Sequence, residues 1–316
     1  MADLSVRIGS LALRNPVMPA SGCFAVEYQE ALDLGALGAL VIKSVTPRTR
    51  VGNPTPRVAE VQGGLLNSIG IPSKGLDAFV RDVLPAYQGF GTPVVVSLSA
   101  DTVAEFAAAV QVLSRPGVAA IEANISCPNL EADGLAFAMS ARSTHDAIAA
   151  MRRATGLPLW AKLTPNAGDV SAIARAAEAA GADAVVMGNT ALGMAIDVHT
   201  RRPRLGNGMG GLSGPALKPV TLRMTYQCAR AVRIPVIGCG GIATAEDAVE
   251  YLLAGATAIQ VGTASFIDPA AMQRIVAGLH DYCAAHGVAR AAELTGAVQM
   301  EGEEQRSWRA QAAAWA

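Results

Sequence analysis

The stretch "PVIGCGGIATAEDAVEYLLAGATAIQVGTAS", residues 235–265, contains two short apolar runs on either side of an alanine-rich segment. The runs 235–239 and 258–262 are rich in β-branched residues and too short for independent helices, so we predict two strands. Between them, residues 244–256 have a helical pattern that opens at Thr244, a good N-cap, and ends near a glycine. The stretch therefore predicts one strand–helix–strand unit.

The same alternation extends through the chain. Helical patterns also cover 102–113 and 169–181, and the second of these opens at Asp169. Six further strand candidates precede the quoted stretch: "PVMPA" (16–20), "ALVIKS" (39–44), "PVVVSL" (93–98), "AAIEANI" (119–125), "LWAKL" (159–163) and "AVVMGN" (184–189). Eight strands alternating with helices predict an α/β fold, a (β/α)₈ TIM barrel. A doubly wound Rossmann fold would need a G-x-G-x-x-G after the first strand, which is absent.

Several segments fall outside this rhythm. Residues 3–15 alternate like a β-hairpin turning at Gly9–Ser10, which in a barrel would plug the N-terminal mouth. Long loops follow strands 2, 4 and 6, and those at 44–72 and 190–215 would lie at the C-terminal face, where barrel active sites lie. We predict one barrel domain over 1–300 and assign no role to the tail 301–316.

Composition excludes several classes of protein. The chain has 25 Lys+Arg against 26 Asp+Glu, a balance that disfavours nucleic acid or an anionic membrane as the main partner. We find no apolar segment long enough for a membrane span and no signal-peptide pattern. The five cysteines are scattered and include no C-x-x-C, so we expect reduced thiols in the cytoplasm and no metal centre held by this chain.

Polar or glycine residues occupy the predicted C-terminal ends of the strands. Gly240, Gly241, Gly262 and Thr263 follow strands 7 and 8, the usual phosphate cradle of this fold, and the helix at Thr244 would add its positive end. The plainer alternative is that these glycines form tight βα turns. Together with the lysines described next, they favour a phosphate site.

Two lysines, Lys43 and Lys162, would point toward the barrel centre from opposite sides. An unpaired buried ammonium is expensive, so each needs an anionic partner. Strand alternation places Glu122 on the same face as Asn124. Either Glu122 pairs with one lysine structurally, or at least one lysine faces a bound anion, such as a flavin locus or a substrate carboxylate.

Amide side chains form the third part of the candidate site. Asn67, Asn124, Asn129 and Asn189 are each both donor and acceptor, which suits a planar heterocycle with alternating N–H and C=O groups. Cys127 lies between two of them in "NISCPN" (124–129) and is followed by a proline. A free thiol titrates at a pKa of about 8.5, so Cys127 is a candidate base, although buried cysteines are often inert.

These motifs resemble the class 1 dihydroorotate dehydrogenases from about residue 4 to 298. The resemblance is carried by "PVMPASG", "VIKSVTPRTRVGNPTPRVAE", "LLNSIGI", "NISCPN", "AKLTPN", "GNTALGMAID", "GGLSGPALKP", "VIGCGGI" and "VGTASF". The sixth and seventh motifs are most like the class 1B catalytic (FMN) subunit. That subtype works with a separate iron–sulfur FAD electron-transfer subunit and passes electrons to NAD.

The resemblance implies FMN as cofactor and oxidation of dihydroorotate to orotate in de novo pyrimidine synthesis. Cys127 matches the catalytic base, which takes the C5 proton while C6 delivers hydride to the flavin. Matching cofactor-binding positions are Ser21, Lys43, Ser44, Ser97, Asn124, Lys162, Gly188, Gly214, Gly240, Gly241, Gly262 and Thr263. Matching substrate-binding positions are Lys43, Asn67, Ser68, Ile69, Gly70, Ile71, Asn124, Asn129, Asn189 and Thr190.

The pattern departs from class 1B at two places. Ser97 stands where asparagine is frequent, and "LEADGLAF" (130–137) replaces a Lys-Gly-Gly type of loop.

We expect a homodimer. Alternatives are a class 1A fumarate-linked enzyme, an FMN barrel acting on another dihydropyrimidine such as dihydrouracil, a non-redox barrel isomerase or lyase, and a binding subunit without activity.

Overall fold

The structure, a computed structural model, describes residues 2–126 and 136–300. The strands are β1 Val6–Ile8, β2 Leu11–Leu13, β3 Val17–Pro19, β4 Leu40–Val45, β5 Thr49–Arg50, β6 Val58–Val61, β7 Gly64–Asn67, β8 Ser73–Lys74, β9 Val94–Leu98, β10 Ala120–Asn124, β11 Leu159–Lys162, β12 Ala184–Met187, β13 Ala191–Met194, β14 Ile196–Asp197, β15 Arg202–Pro203, β16 Met209–Ser213, β17 Val236–Cys239 and β18 Ala258–Val261. The α-helices are α1 Leu76–Ala78, α2 Leu84–Tyr87, α3 Val103–Leu113, α4 Ala141–Ala154, α5 Val170–Ala179, α6 Lys218–Ala231, α7 Ala245–Leu253, α8 Ala264–Ile267 and α9 Ala271–Ala285.

Eight of these strands form one parallel sheet that is nearly closed into a barrel. Their order is β3-β18-β17-β12-β11-β10-β9-β4. The two end strands approach each other where the N–H of Gly38 donates to the carbonyl of Val17 at 2.9 Å. All eight predicted strands are present with ends within two residues of the predicted ones. The (β/α)₈ fold is therefore confirmed.

The predicted helices lie between barrel strands and begin where their caps predict. Asp169 accepts a hydrogen bond from the N–H of Ala172 at the start of α5. Thr244 and Asp247 form a reciprocal capping box at the start of α7. No helix within the described ranges combines the length and apolar composition that crossing a bilayer requires.

The predicted N-terminal hairpin is formed by β1 and β2, which pair antiparallel. Its side chains Val6, Ile8 and Leu13 pack with Met18 and Val41 in a buried cluster inside the barrel. This packing closes the N-terminal mouth with apolar side chains, as predicted, and leaves the C-terminal mouth for chemistry.

The long connections after β4 and β12 are more regular than the loops that the sequence predicts. They combine into a four-stranded antiparallel sheet, β13-β16-β7-β6. Its register sets Asn67 opposite both Val58 and Gly211. Because β7 and β16 come from different connections, the sheet holds two candidate substrate segments in a fixed relation.

Candidate active site

Side chains at the C-terminal ends of four barrel strands form one hydrogen-bonded row. The hydroxyls of Ser97 and Ser44 lie 2.8 Å apart, and the amide of Asn124 donates to Ser44 at 3.1 Å. Ser126 donates to the Asn124 carbonyl oxygen at 2.6 Å and accepts from the amide of Asn189. The structure thus brings four predicted residues together. Ser126 was not predicted as a site residue, although it lies within "NISCPN" between Asn124 and Cys127, which were.

Lys162 is buried in the barrel below the mouth. Its ammonium donates to Oε1 of Gln260 at 2.9 Å and to the hydroxyl of Ser21 at 3.3 Å, and lies 3.5 Å from a carboxylate oxygen of Glu122. Of the two lysines, Lys162 is therefore the one that Glu122 pairs with. Gln260 was also not predicted, although its position two residues after Ala258 and two before Gly262 puts it on the inward face of β18.

Lys43 has a different environment. It is half-buried and donates a hydrogen bond to the carbonyl of Pro72. No carboxylate of the described residues forms an ion pair with it. Desolvation lowers the pKa of Lys43 below its usual value. A bound anion would relieve that penalty, so Lys43 is the lysine that fits a ligand carboxylate.

The thiols near Lys162 are neutral. Burial raises the pKa of Cys23 to about 12, with a further contribution from Cys239 and an opposing one from Lys162. Burial also raises the pKa of Cys239, again against the field of Lys162. Neither thiol is poised as a base at neutral pH.

A cavity of about 180 Å³ lies beside the turns after β17 and β18. Gly214, Gly241 and Thr263 line it, together with apolar side chains. The N–H groups of Gly241 and Thr263 have no acceptor among the described residues. Asp268 also lines the cavity, but its carboxylate pairs with Arg274. Free backbone donors around a small cavity suit a phosphate.

The helix start at Thr244 contributes less to this cradle than the sequence predicts. The carboxylate of Asp247 accepts from the N–H groups of Ala243 and Thr244 at 2.8 and 3.0 Å. Lys218 donates to Asp247 at 2.6 Å and to Glu250 at 3.0 Å. Asp247 thus engages the two N–H groups that precede the helix and also Lys218, whereas the N–H groups of Gly241 and Thr263 remain free within the described ranges.

Packing requires glycine at two of the cradle positions, Gly240 and Gly241. A Cβ on Gly241, whose φ is +68°, would lie 2.8 Å from the Gly214 carbonyl oxygen, and one on Gly240 would overlap the Thr221 side chain. Gly262 lies beside Cys23 and Ala20. The N–H of Gly188 donates to the Cys239 carbonyl at 2.9 Å, which places Gly188 at the same mouth.

The predicted substrate segment 67–71 is held by the loop before it. The Asn67 amide donates to the Gly211 carbonyl at 3.3 Å, and Asn53 donates to the Ser68 hydroxyl at 2.7 Å and to the Ile69 carbonyl at 3.0 Å. Gly70 and Ile71 have φ values of +76° and +46°. A β-branched residue in the left-handed region is strained, and such strain persists where surrounding structure fixes a functional loop.

Thr190 is positioned through its backbone. Its N–H donates to the Asn189 side chain at 2.8 Å, and its carbonyl accepts from the Asn166 amide at 3.2 Å. Asn166 also accepts from the N–H of Leu192 at 2.8 Å. Asn166, the last residue of "AKLTPN", thereby fixes the start of the connection after β12.

Cys127 and Asn129 lie outside the described residues, and so does most of the divergent loop 130–137. The described residues on either side of this segment make defined hydrogen bonds. Ser126 belongs to the polar row, and the N–H of Ala138 donates to the Ile125 carbonyl at 2.9 Å. The base role of Cys127 and the substrate role of Asn129 remain predictions. At the other departure, the Ser97 hydroxyl is engaged by Ser44.

Comparison with known proteins agrees with this geometry. The sequence model of the family described as "Dihydroorotate dehydrogenase" matches residues 3–282. The chain belongs to the dihydroorotate dehydrogenase family. Membership in this family implies a flavin cofactor.

Relatives along nearly the whole chain carry one name. The "Dihydroorotate dehydrogenase B (NAD(+)), catalytic subunit" of Geotalea daltonii is 48% identical over 301 residues, covering 94% of this chain and 99% of the relative. The proteins of the same name from Trichlorobacter lovleyi and Geobacter sulfurreducens are 49% and 48% identical, covering 94% of this chain and 98% and 99% of the relatives. These names agree with the class 1B resemblance of the sequence motifs.

Proposed function

We propose that this chain is the catalytic subunit of an NAD-linked dihydroorotate dehydrogenase, which oxidises dihydroorotate to orotate in pyrimidine synthesis. One observation carries the proposal. A polar row, two lysines and a glycine cradle converge at one barrel mouth, in a chain 48% identical to a B-type catalytic subunit over 94% of its length.

FMN is the flavin that this site fits. A monophosphate needs a small cradle of backbone donors, and the cavity beside Gly214, Gly241 and Thr263 supplies free N–H groups. Ser21 and Lys162 supply a hydroxyl and an ammonium group at the same mouth, and Ser44 and Asn124 supply a hydroxyl and an amide from the polar row. Bound FMN would supply the hydride acceptor. The remaining cofactor positions, Lys43, Ser97, Gly188, Gly240 and Gly262, lie at the same mouth.

The substrate would lie between Lys43 and the amides. Lys43 carries the positive charge that a carboxylate needs, and Asn67, Asn124 and Asn189 supply donors and acceptors for a pyrimidine ring. We assign the proton acceptor to Cys127, which directly follows the hydrogen-bonded Ser126. A positioned base of this kind contributes roughly 10²–10⁴-fold to the rate.

Electrons would leave through a second protein, an iron–sulfur FAD subunit that reduces NAD. We also propose a homodimer and a cytoplasmic location. An exposed apolar surface on the four-stranded antiparallel sheet and the adjoining β14 hairpin suits assembly. Leu192, Met194 and Met209 are exposed on the sheet, Ile196 and Val198 are exposed beside it, and Met194 pairs with Met209 across the strands. Light scattering of the chain alone tests the dimer. Met194→Glu should reduce the mass to that of a monomer, whereas Val112→Glu, at an exposed apolar residue on α3, should not.

The activity is tested by turnover with an artificial electron acceptor. Purified protein should be yellow, release FMN on denaturation, and form orotate from dihydroorotate. Dihydrouracil, which lacks the carboxylate, should give no turnover. A colourless protein that rejects FMN would overturn the proposal. Faster turnover of dihydrouracil than of dihydroorotate would assign a different substrate to the enzyme.

A further inference from the structure

The barrel interior changes from apolar to charged along its axis. At the hairpin end it is filled by Ile8, Leu13 and Val41, with Trp160 further along. Nearer the C-terminal mouth the inward positions instead carry Glu122, Lys162 and Gln260 from three different strands. All three side chains are buried, with Glu122 and Gln260 fully so.

The hydrogen bonds among these side chains run as a relay from Lys162 through Gln260 to Glu122. The Lys162 ammonium donates to Oε1 of Gln260 at 2.9 Å, and Nε2 of Gln260 donates to Oε2 of Glu122 at 2.6 Å. The other oxygen, Oε1 of Glu122, accepts no hydrogen bond and lies 3.5 Å from the ammonium. On its other side Lys162 donates to Ser21 at the mouth. The ammonium therefore lies between a buried anion and the candidate site.

Glu122 is the anion that keeps Lys162 charged. Desolvation is the largest single influence on Lys162 and acts to lower its pKa. The field of Glu122 is the largest opposing influence, and with the smaller contributions of Cys239, Cys23 and the Glu122 hydrogen bond the net pKa is raised. Cys239 and Cys23 also face Lys162, but burial raises their own pKa values, so they are neutral thiols at neutral pH. Gln260 and Ser21 carry no charge. An unpaired ammonium at this depth would favour its neutral form.

A buried ion pair such as Lys162 and Glu122 generally adds little to the free energy of unfolding. Replacing both partners by neutral groups of similar volume is often neutral or stabilising, whereas removing one leaves a costly buried charge. Glu122 also makes no contact with solvent, so it is not placed to exchange a proton with a substrate. Its contacts give it a different role, which is to act through Lys162.

We propose that Glu122 and Gln260 are positioning residues that hold the Lys162 ammonium charged and directed at the flavin-binding mouth. The inference rests on the proposed function, because it concerns how the chain prepares its cofactor site. A fixed cation beside a flavin favours the reduced, more negative cofactor and so raises its reduction potential.

The first arm of the test needs no cofactor. Unfolding midpoints are compared for the FMN-free protein and its Glu122→Gln, Lys162→Met and doubly substituted forms. We expect each single change to lower the midpoint, and the double variant to lose much less than the two losses combined. Additive losses would overturn the pairing. Glu178→Gln is the matched control, because Glu178 accepts only backbone N–H groups near Ile234, before β17.

The second arm measures the FMN-loaded protein. Glu122→Gln should bind FMN about ten- to a hundredfold more weakly, as expected when a charged hydrogen bond is weakened, and should lower the flavin reduction potential. In the Lys162→Met background the same change should not lower it. A potential that is unchanged or raised by Glu122→Gln alone would overturn the proposal.

Two further controls keep the test decisive. If Glu122→Gln does not fold, Gln260→Met removes the relay while keeping both charges, and it should lower the potential in the same direction. If the unaltered protein does not bind FMN, the proposed function fails while the stability cycle still tests the pairing. The two failures are therefore distinguishable.

Discussion

The Lys43 ammonium donates a hydrogen bond to the backbone carbonyl of Pro72, which ties β4 to the end of the substrate segment 67–71. The contact holds a cation at the site without neutralising it. Lys43→Met should therefore raise the KM for dihydroorotate and lower kcat/KM about ten- to a hundredfold, the loss expected for one charged hydrogen bond. Steady-state kinetics would check this. Lys74→Met, an exposed lysine on β8, is the control, and equal effects of the two changes would contradict the role of Lys43.

The lowered pKa of Lys43 also predicts that ligand binding depends on pH. Because desolvation lowers its pKa, Lys43 loses its proton at a lower pH than a free lysine does. Only the protonated form attracts a carboxylate, so orotate binding should weaken as pH rises toward the lowered pKa and recover on acidification. Flavin absorbance changes on orotate binding would measure it. Lys43→Met should bind weakly and lack this alkaline loss, which separates Lys43 from titration of orotate itself.

Gly241→Ala tests the phosphate cradle. An added Cβ would lie 2.8 Å from the Gly214 carbonyl oxygen, beside a free N–H group, so we expect FMN affinity to fall more than tenfold. Gly287→Ala is a close control, since its φ of +66° matches the +68° of Gly241 and nothing lies within 4 Å of an added Cβ. That variant should lose about 1 kcal/mol of stability and keep its FMN affinity. Equal loss of FMN by both would show a general effect of backbone strain.

Cys127→Ala tests the assigned base. The change should lower the rate of flavin reduction by dihydroorotate roughly 10²–10⁴-fold, because no group replaces the proton acceptor. FMN binding should be retained. Rapid-mixing absorbance under anaerobic conditions would measure the rate, and Cys283→Ala, in the buried face of α9, is the control. Reduction at the unaltered rate would remove Cys127 from this role.

The parts of the fold that depend on local sequence pattern were predictable. Short β-branched runs place all eight barrel strands, and the caps at Asp169 and Thr244 place two helices. The sheet that joins β7 to β16 was not, because its pairing links segments about 145 residues apart, as at Leu66 and Leu212. No local period encodes such a pairing.

Many residues of the site could be predicted from the sequence, but the contacts between them could not. Strand alternation puts Glu122 inward, yet its choice of Lys162 over Lys43 depends on the strand order of the closed barrel. The role of Gln260 could have been predicted, because it lies on the inward face of β18. The role of Asp247 could also have been predicted, because Thr244 and Asp247 have the spacing of a capping box, and that box explains why α7 offers less to an anion.

Anaerobic titration of the purified yellow protein with dihydroorotate tests the central proposal most directly. Dihydroorotate should bleach the flavin absorbance with formation of orotate, while dihydrouracil should leave the spectrum unchanged because it has no carboxylate for Lys43. Adding NAD should restore the colour only when an iron–sulfur FAD subunit is present. A flavin that dihydroorotate does not bleach would contradict the account.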